Sequence, residues 1–198
     1  MNVLVTAASQ HGATREIAEA IADALRKRGL EVAVPAPEDV GSVEDYDAFI
    51  IGSAVYTGHW LKPAKELVER FAGELVARPV WLFSSGPVGD RSRKLVQKMG
   101  EDPVDLAALR EMTRAEGHQM FGGKLEKQNL TRPQRTALAL FRGFQGDFRD
   151  WDEIERWACR IADGLQSHEA AEEVPGGRKA ARVSGSPPEA SGERDPLQ

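Results

Sequence analysis

The apolar positions of this chain fall into two alternating rhythms. Residues 2–8 and 48–53 are nearly continuous in apolar side chains, the pattern of strands in a parallel sheet covered on both faces. Residues 31–34 read as a short second strand closed by Pro35 and Pro37, and 79–84 as another. Between the strands the period changes. Ile17, Ala18, Ile21, Ala22 and Leu25 recur three and four apart, with Glu16, Glu19, Asp23 and Lys27 on the opposite face and Gly29 as the stop. Leu61, Ala64, Val68, Phe71 and Leu75 repeat that helical pattern, and Pro63 suits its first turn. A weaker helix is predicted over about 103–116. Residues 118–125 form a candidate fifth strand in which Gly122 and Gly123 suggest a bulge or bend. Trp151, Ile154, Ala158, Ile161 and Leu165 mark a final amphipathic helix that closes the domain.

Alternation of strand and helix predicts an α/β fold over residues 1–166: a doubly wound, five-stranded parallel sheet of order 2-1-3-4-5 with helices on both faces. Residues 167–198 break the rhythm. Twelve of these 32 positions are Gly, Pro or Ser, and only Val174, Val183 and Leu197 are large aliphatics. Such a segment buries too little apolar surface to offset its ordering entropy, so it reads as a disordered tail.

Composition narrows the function. A net charge of −5 argues against a general nucleic-acid binder, which carries a basic excess. One cysteine excludes an internal disulfide framework and a cysteine zinc cluster, and fits a reducing cytoplasm. His11, His59, His118 and His168 lack ligand spacing, so no metal site is indicated. No signal peptide precedes the first strand, and no apolar run approaches the roughly 20 residues that span a bilayer.

The richest chemistry lies where the first strand enters the first helix. Ser9, Gln10, His11, Gly12, Ala13 and Thr14 place backbone N–H groups and two hydroxyls beside a helix N-terminus, where the dipole favours an anion. This is a phosphate cradle without a lysine. It matches neither the Gly-x-Gly-x-x-Gly fingerprint nor the Gly-Lys-Ser/Thr loop. Ser-x-x-Gly-x-Thr after a first strand resembles the FMN-phosphate loop of flavodoxins. That resemblance implies a crevice at the carboxyl ends of strands 1 and 3, closed by two further loops: Ser53, Ala54, Val55, Tyr56, Thr57, Gly58, His59 and Trp60 after the third strand, and Ser84, Ser85, Gly86, Pro87 and Asp90 after the fourth. Tyr56, His59 and Trp60 offer stacking surface to a flavin ring, Gly58 an adaptable backbone, and Ser85, Gly86 and Pro87 amides for its pyrimidine edge.

A more specific resemblance covers residues 1–166. The stretch Tyr-Asp-Ala-Phe-Ile-Ile-Gly-Ser-Ala-Val-Tyr-Thr-Gly-His-Trp ending at Trp60, then Phe121-Gly-Gly and Asp150-Trp-Asp-Glu-Ile-Glu-Arg-Trp-Ala, resembles the menaquinone-dependent protoporphyrinogen IX dehydrogenases. These are flavodoxin-fold enzymes of heme biosynthesis. The resemblance implies an FMN-dependent oxidoreductase that moves electrons from a reduced substrate to a quinone, with residues 9–14 on the phosphate and 53–59 and 84–90 flanking the ring. That family carries an aromatic, basic insert after the fifth strand, linked to its membrane-bound partner. Residues 124–146 correspond to it here, with Lys124, Lys127, Arg132, Arg135 and Arg142 against Glu126, and with fewer aromatics, Phe141 and Phe144.

Alternatives stand beside each reading. His59 is a candidate proton donor, since its unperturbed pKa lies near neutrality, or a cap or surface residue. His11 contacts phosphate through its backbone or its ring. Tyr56 and Trp60 stack on flavin or seal the core. Asp90 lies near the flavin or caps a helix. Trp81, Trp151 and Trp157 read as packing residues and Cys159 as structural. Residues 124–146 are a peripheral docking edge for an anionic membrane or a solvated insert. A carrier flavodoxin without its own substrate is the competing function. Its acidic docking face is weak here, because the loops carry His11, His59, Arg91 and Arg93.

Overall fold

The computed structural model describes residues 1–86, 102–125 and 146–172. Its main sheet contains β1 (Asn2–Ala8), β2 (Glu31–Ala33), β3 (Ala48–Tyr56), β5 (Val80–Ser85) and β6 (Gly117–Phe121), in the order β2-β1-β3-β5-β6. All four of these pairings are parallel. With β4 (His59–Trp60) set aside as an antiparallel return on β3, the order is the expected 2-1-3-4-5.

Successive strand residues point to opposite faces, and both faces are covered, which is why these strands carry continuous apolar runs. On one face Val3, Val5, Ile50, Phe83 and Phe121 meet α1 (Ala13–Lys27) through Ile17, Ile21 and Leu25. The same layer includes α5 (Trp151–Glu172) through Ile154, Trp157, Ile161 and Leu165. On the other face Leu4, Phe49, Ile51 and Leu82 meet α2 (Lys62–Arg70), α3 (Ala72–Leu75) and α4 (Leu106–Thr113). Close packing depends on Gly52: a Cβ there would lie 2.1 Å from the Phe83 ring, its neighbour on β5.

Several expectations shift. The second helical pattern divides at Phe71, whose φ of −113° and ψ of 19° leave the helical range between α2 and α3. The helix expected over 103–116 is confined to α4. The fifth strand stops at Phe121, whose partner Ser85 is the last residue of β5; just beyond, a Cβ on Gly122 would lie 2.0 Å from the Phe148 carbonyl oxygen. β7 (Lys124–Leu125) instead pairs antiparallel with β8 (Gly146–Asp147). The final helix runs to Glu172, past the expected end of the domain at 166; residues 173–198 of the expected tail lie outside the described residues. Trp81 and Trp157 are buried as expected, whereas Trp151 is 43% exposed and carries the Arg149 guanidinium on its ring face rather than filling the core.

Candidate functional site

The carboxyl ends of three adjacent strands converge. Ala8 on β1 pairs with Ser53 on β3, and Ser53 pairs with Ser84 on β5. The chain leaves β1 through residues 9–12 and enters α1 at Ala13. Gly12 adopts φ +85°, a left-handed conformation suited to glycine, with open space within 4 Å of where a Cβ would stand. Ser9 Oγ accepts the Thr14 N–H at 3.2 Å, so an acceptor already sits at the helix mouth. Ser9, Gly12 and Ala13 are half-buried, Thr14 is buried, and Gln10 and His11 are exposed. A left-handed glycine at the N-cap of a 15-residue helix, with no group crowding it, leaves room for an anion at the helix terminus.

The segment after the third strand is a β-hairpin rather than the expected loop. Val55 pairs with Trp60 and Tyr56 with His59 across a two-residue turn. Thr57 at φ 51° and Gly58 at φ 82° give it the mirror-image geometry that tight hairpins prefer. The turn is anchored from outside, by Val104 N–H donating to Gly58 C=O at 2.9 Å and by Asp105. The Asp105 carboxylate accepts the Trp60 N–H at 2.8 Å, faces His59 Nδ1 at 3.2 Å and lies 3.5 Å from Lys65 Nζ. Burial alone would raise the Asp105 pKa; the Trp60 and His59 bonds and the Lys65 charge outweigh it and hold the carboxylate below its usual range. His59 is therefore engaged with Asp105. Tyr56 stands 39% exposed, and burial pushes its phenol up, so it presents a neutral aromatic surface.

The two serines at the strand ends serve the scaffold. Ser53 Oγ donates to Ala54 C=O and accepts the Leu61 N–H. Ser84 Oγ accepts the Trp60 indole N–H at 2.8 Å and lies 2.9 Å from His118 Nε2. Trp60 is thus a buried seal with its polar edge satisfied, resolving its two readings toward the core. His118 Nδ1 lies 3.6 Å from Asp102, giving the outline of a Ser-His-Asp row. Ser84 is fully buried and already accepts the indole N–H, so the row holds structure and presents no accessible nucleophile. Burial pushes the His118 pKa down against the opposing pull of Asp102. Ala54 and Ser85, a cross-strand pair, are buried. Gly86, at φ +125°, passes beside Val55, where a Cβ would lie 3.6 Å from its carbonyl oxygen. Pro87 and Asp90 lie outside the described residues, as do positions 126–145 of the basic segment.

Three residues absent from the expected set border this region: Asp105, His118 and Arg149. Asp105 carries a local signal, an aspartate preceding an apolar helical run. The other two carry none. The Arg149 side chain is 3% exposed; its Nη1 donates to Glu16 at 2.6 Å and Ala13 C=O at 3.3 Å, while Nε and Nη2 bind Asp147. The Asp147 bond foremost keeps the guanidinium charged, and Arg149 in turn holds the Asp147 carboxyl low. Among the described residues no group of three or more His, Cys, Asp or Glu side chains is placed to hold a metal ion, and no helix is long and apolar enough to cross a membrane.

A parallel sheet of this order, with helices on both faces and a glycine-capped helix entry after β1, defines a flavodoxin-like protein. The chain belongs to the flavodoxin domain family, which matches residues 4–152 and binds FMN. It is 28% identical over 173 residues to "Protoporphyrinogen IX dehydrogenase [quinone]" of Escherichia coli K12, covering 82% of this chain and 95% of the relative. Among solved structures it resembles the flavodoxin of Streptococcus pneumoniae TIGR4 at TM-score 0.56 and 20% identity, over 83% of this chain and 99% of that one. It also resembles rubredoxin oxygen:oxidoreductase from Desulfovibrio gigas at TM-score 0.58 and 16% identity, over 85% of this chain and 37% of that one.

Proposed function

We propose that this chain is an FMN-dependent oxidoreductase that takes electrons from a reduced substrate of the porphyrinogen class and delivers them to a quinone. The reading is carried by the convergence of the Ser9–Gly12–Thr14 cradle, the Tyr56–His59 hairpin and the Ser85–Gly86 exit at one sheet edge. The near full-length similarity to a quinone-linked protoporphyrinogen dehydrogenase supports the choice of substrate and acceptor. FMN supplies the electron exchange between donor and acceptor. The chain's own residues do the remainder. Residues 9–14 bind the phosphate, Tyr56 offers an aromatic face beside the ring, and Ser85 and Gly86 offer backbone groups to its polar edge. Asp105 holds the hairpin in place while His59 stays at the solvent boundary.

The same reading makes residues 124–146 a docking edge for an anionic membrane surface near a quinone pool. Each cation there adds on the order of 1 kcal/mol at low salt. Charge reversal at Arg132, Arg135 and Arg142 abolishes vesicle co-sedimentation on this reading and leaves flavin affinity unchanged. Residues 167–198 are proposed to be dispensable for flavin binding, apart from the last turns of α5.

The deciding experiment mixes FMN-loaded protein anaerobically with a reduced tetrapyrrole, then with a soluble quinone. Bleaching of the flavin absorbance by the first and its recovery with the second, repeated over many turnovers, is the expected result. Tight flavin binding without oxidation of the tetrapyrrole overturns the enzyme reading in favour of an electron carrier.

A further inference from the structure

The phosphate cradle has no cation of its own. Its immediate neighbourhood in sequence supplies only Arg15, which is exposed and paired with Glu19. The first turn of α1 even carries an acid, Glu16, at the end of the helix where a phosphate dianion would compete for the same positive pole. The fold brings a buried guanidinium to this acid from 133 residues away.

The placement is built, not incidental. Gly122 has no Cβ where the Phe148 carbonyl passes, Phe148 N–H donates to Gly123 C=O at 3.1 Å, and the β7–β8 ladder sets Asp147 opposite Lys124. Arg149 follows directly. Its fork closes on Asp147 at 2.8 and 2.6 Å, its ring-facing side lies 4.4 Å from the Trp151 centroid, and Nη1 spans Glu16 and the Ala13 carbonyl. One planar group therefore anchors the first helical residue and joins both carboxylates, and with Lys124 opposite Asp147 the cluster leaves Glu16 offset beside the helix mouth. Such an arrangement needs the multiple directed donors of arginine; a lysine ammonium offers charge without the fork.

We propose that Arg149 is the positioning residue of the phosphate cradle: by anchoring Ala13 and neutralising Glu16, it lets the N-terminus of α1 accept the dianionic phosphate of FMN. This inference rests on the FMN site proposed above and concerns the phosphate alone. Arg149 contacts Ala13, Glu16, Asp147 and Trp151 and none of the residues proposed to flank the ring, so the inference predicts no effect on ring binding.

The test compares FMN with riboflavin, which shares the ring and lacks the phosphate, by fluorescence titration of the full chain. The wild type is expected to prefer FMN. Arg149→Met lowers the FMN-to-riboflavin affinity ratio about five- to thirtyfold, the span of a partly buried helix-terminus charge effect, and leaves riboflavin affinity within about twofold. Adding Glu16→Gln to Arg149→Met restores most of the ratio, because the uncompensated acid is gone. Glu16→Gln alone raises it, since Asp147 still holds the arginine. Arg149→Lys, the milder change should the methionine variant fail to fold, gives an intermediate ratio. Equal losses for both flavins mean a merely structural arginine, and an unchanged ratio means no part in phosphate binding; either overturns the inference while the FMN site stands. A wild type that holds riboflavin as tightly as FMN, or holds neither, overturns the cradle itself and this inference with it.

Discussion

Replacing Asp105 by alanine unfastens the hairpin that borders the proposed flavin site, and its size follows from the contacts. The carboxylate accepts the Trp60 amide at 2.8 Å with its side chain only 19% exposed, so this is a charge-assisted bond worth about 1.5–3 kcal/mol. The half-exposed His59 adds a hydrogen bond and Lys65, about a third exposed, a surface-type ion contact, about 0.2–1 kcal/mol each. The Val104–Gly58 backbone bond survives the substitution and limits the loss, leaving an expected destabilisation of about 2–3 kcal/mol at neutral pH. The sign of the pH dependence is set by the depressed pKa. The folded state binds the Asp105 proton more weakly than the unfolded chain does. The carboxylate's contribution is thus fully present above the ordinary aspartate value of about 3.9 and is lost as the pH falls through the lower folded-state value. Urea denaturation of wild type and Asp105→Ala across that range measures both features. The gap between the two stabilities should be widest near pH 7 and narrow on acidification. A gap within about 0.5 kcal/mol at pH 7, the scatter of ordinary surface substitutions, refutes the clamp. So does a gap that does not narrow in acid.

Other outcomes follow from the same geometry. Ser9→Ala, which removes the acceptor of the Thr14 N–H, and Thr14→Ala are each expected to weaken FMN binding about tenfold, read by titration; unchanged affinity in both removes this loop from the site. Ser84→Ala leaves the buried Trp60 indole N–H without its acceptor and should cost about 1–3 kcal/mol in chemical denaturation. His118 is held neutral by burial, so its contribution is complete above its ordinary pKa of about 6.5 and falls away toward lower pH; His118→Gln should flatten that part of the stability profile. Gly52→Ala drives a methyl into the Phe83 ring and is expected to destabilise by about 1–3 kcal/mol or more, with Phe83→Leu recovering part of the loss.

Much of the fold was legible before any coordinates. The runs at 2–8 and 48–53 needed only apolar continuity, and α1 only the spacing of Ile17, Ile21 and Leu25, because period and burial are linked residue by residue. The break at Phe71 and the end of β6 at Phe121 were not legible. The first is a local departure inside an otherwise regular apolar pattern; the second depends on where the neighbouring strand β5 ends. The proposed site divides in the same way. Gly12 and Thr14 announce themselves by turn chemistry next to a strand. Ser53 and Ser84, expected among the residues flanking the ring, have hydroxyls that bond Leu61, Trp60 and His118, partners no sequence pattern shows.

The sequence by itself determined the alternation of strand and helix, the two-faced burial of the sheet and the glycine-bearing turn after β1. Each is written in neighbouring residues through the geometry of one strand or one helical turn. Tertiary structure decided which distant groups meet: Asp105 reaching Trp60 across 45 positions, and Arg149 reaching Glu16 across 133. Those pairings require the tertiary arrangement of strands and helices that brings distant segments together. Hydrophobic periodicity selects the buried face of each element, but carries no address for the polar partner waiting on another.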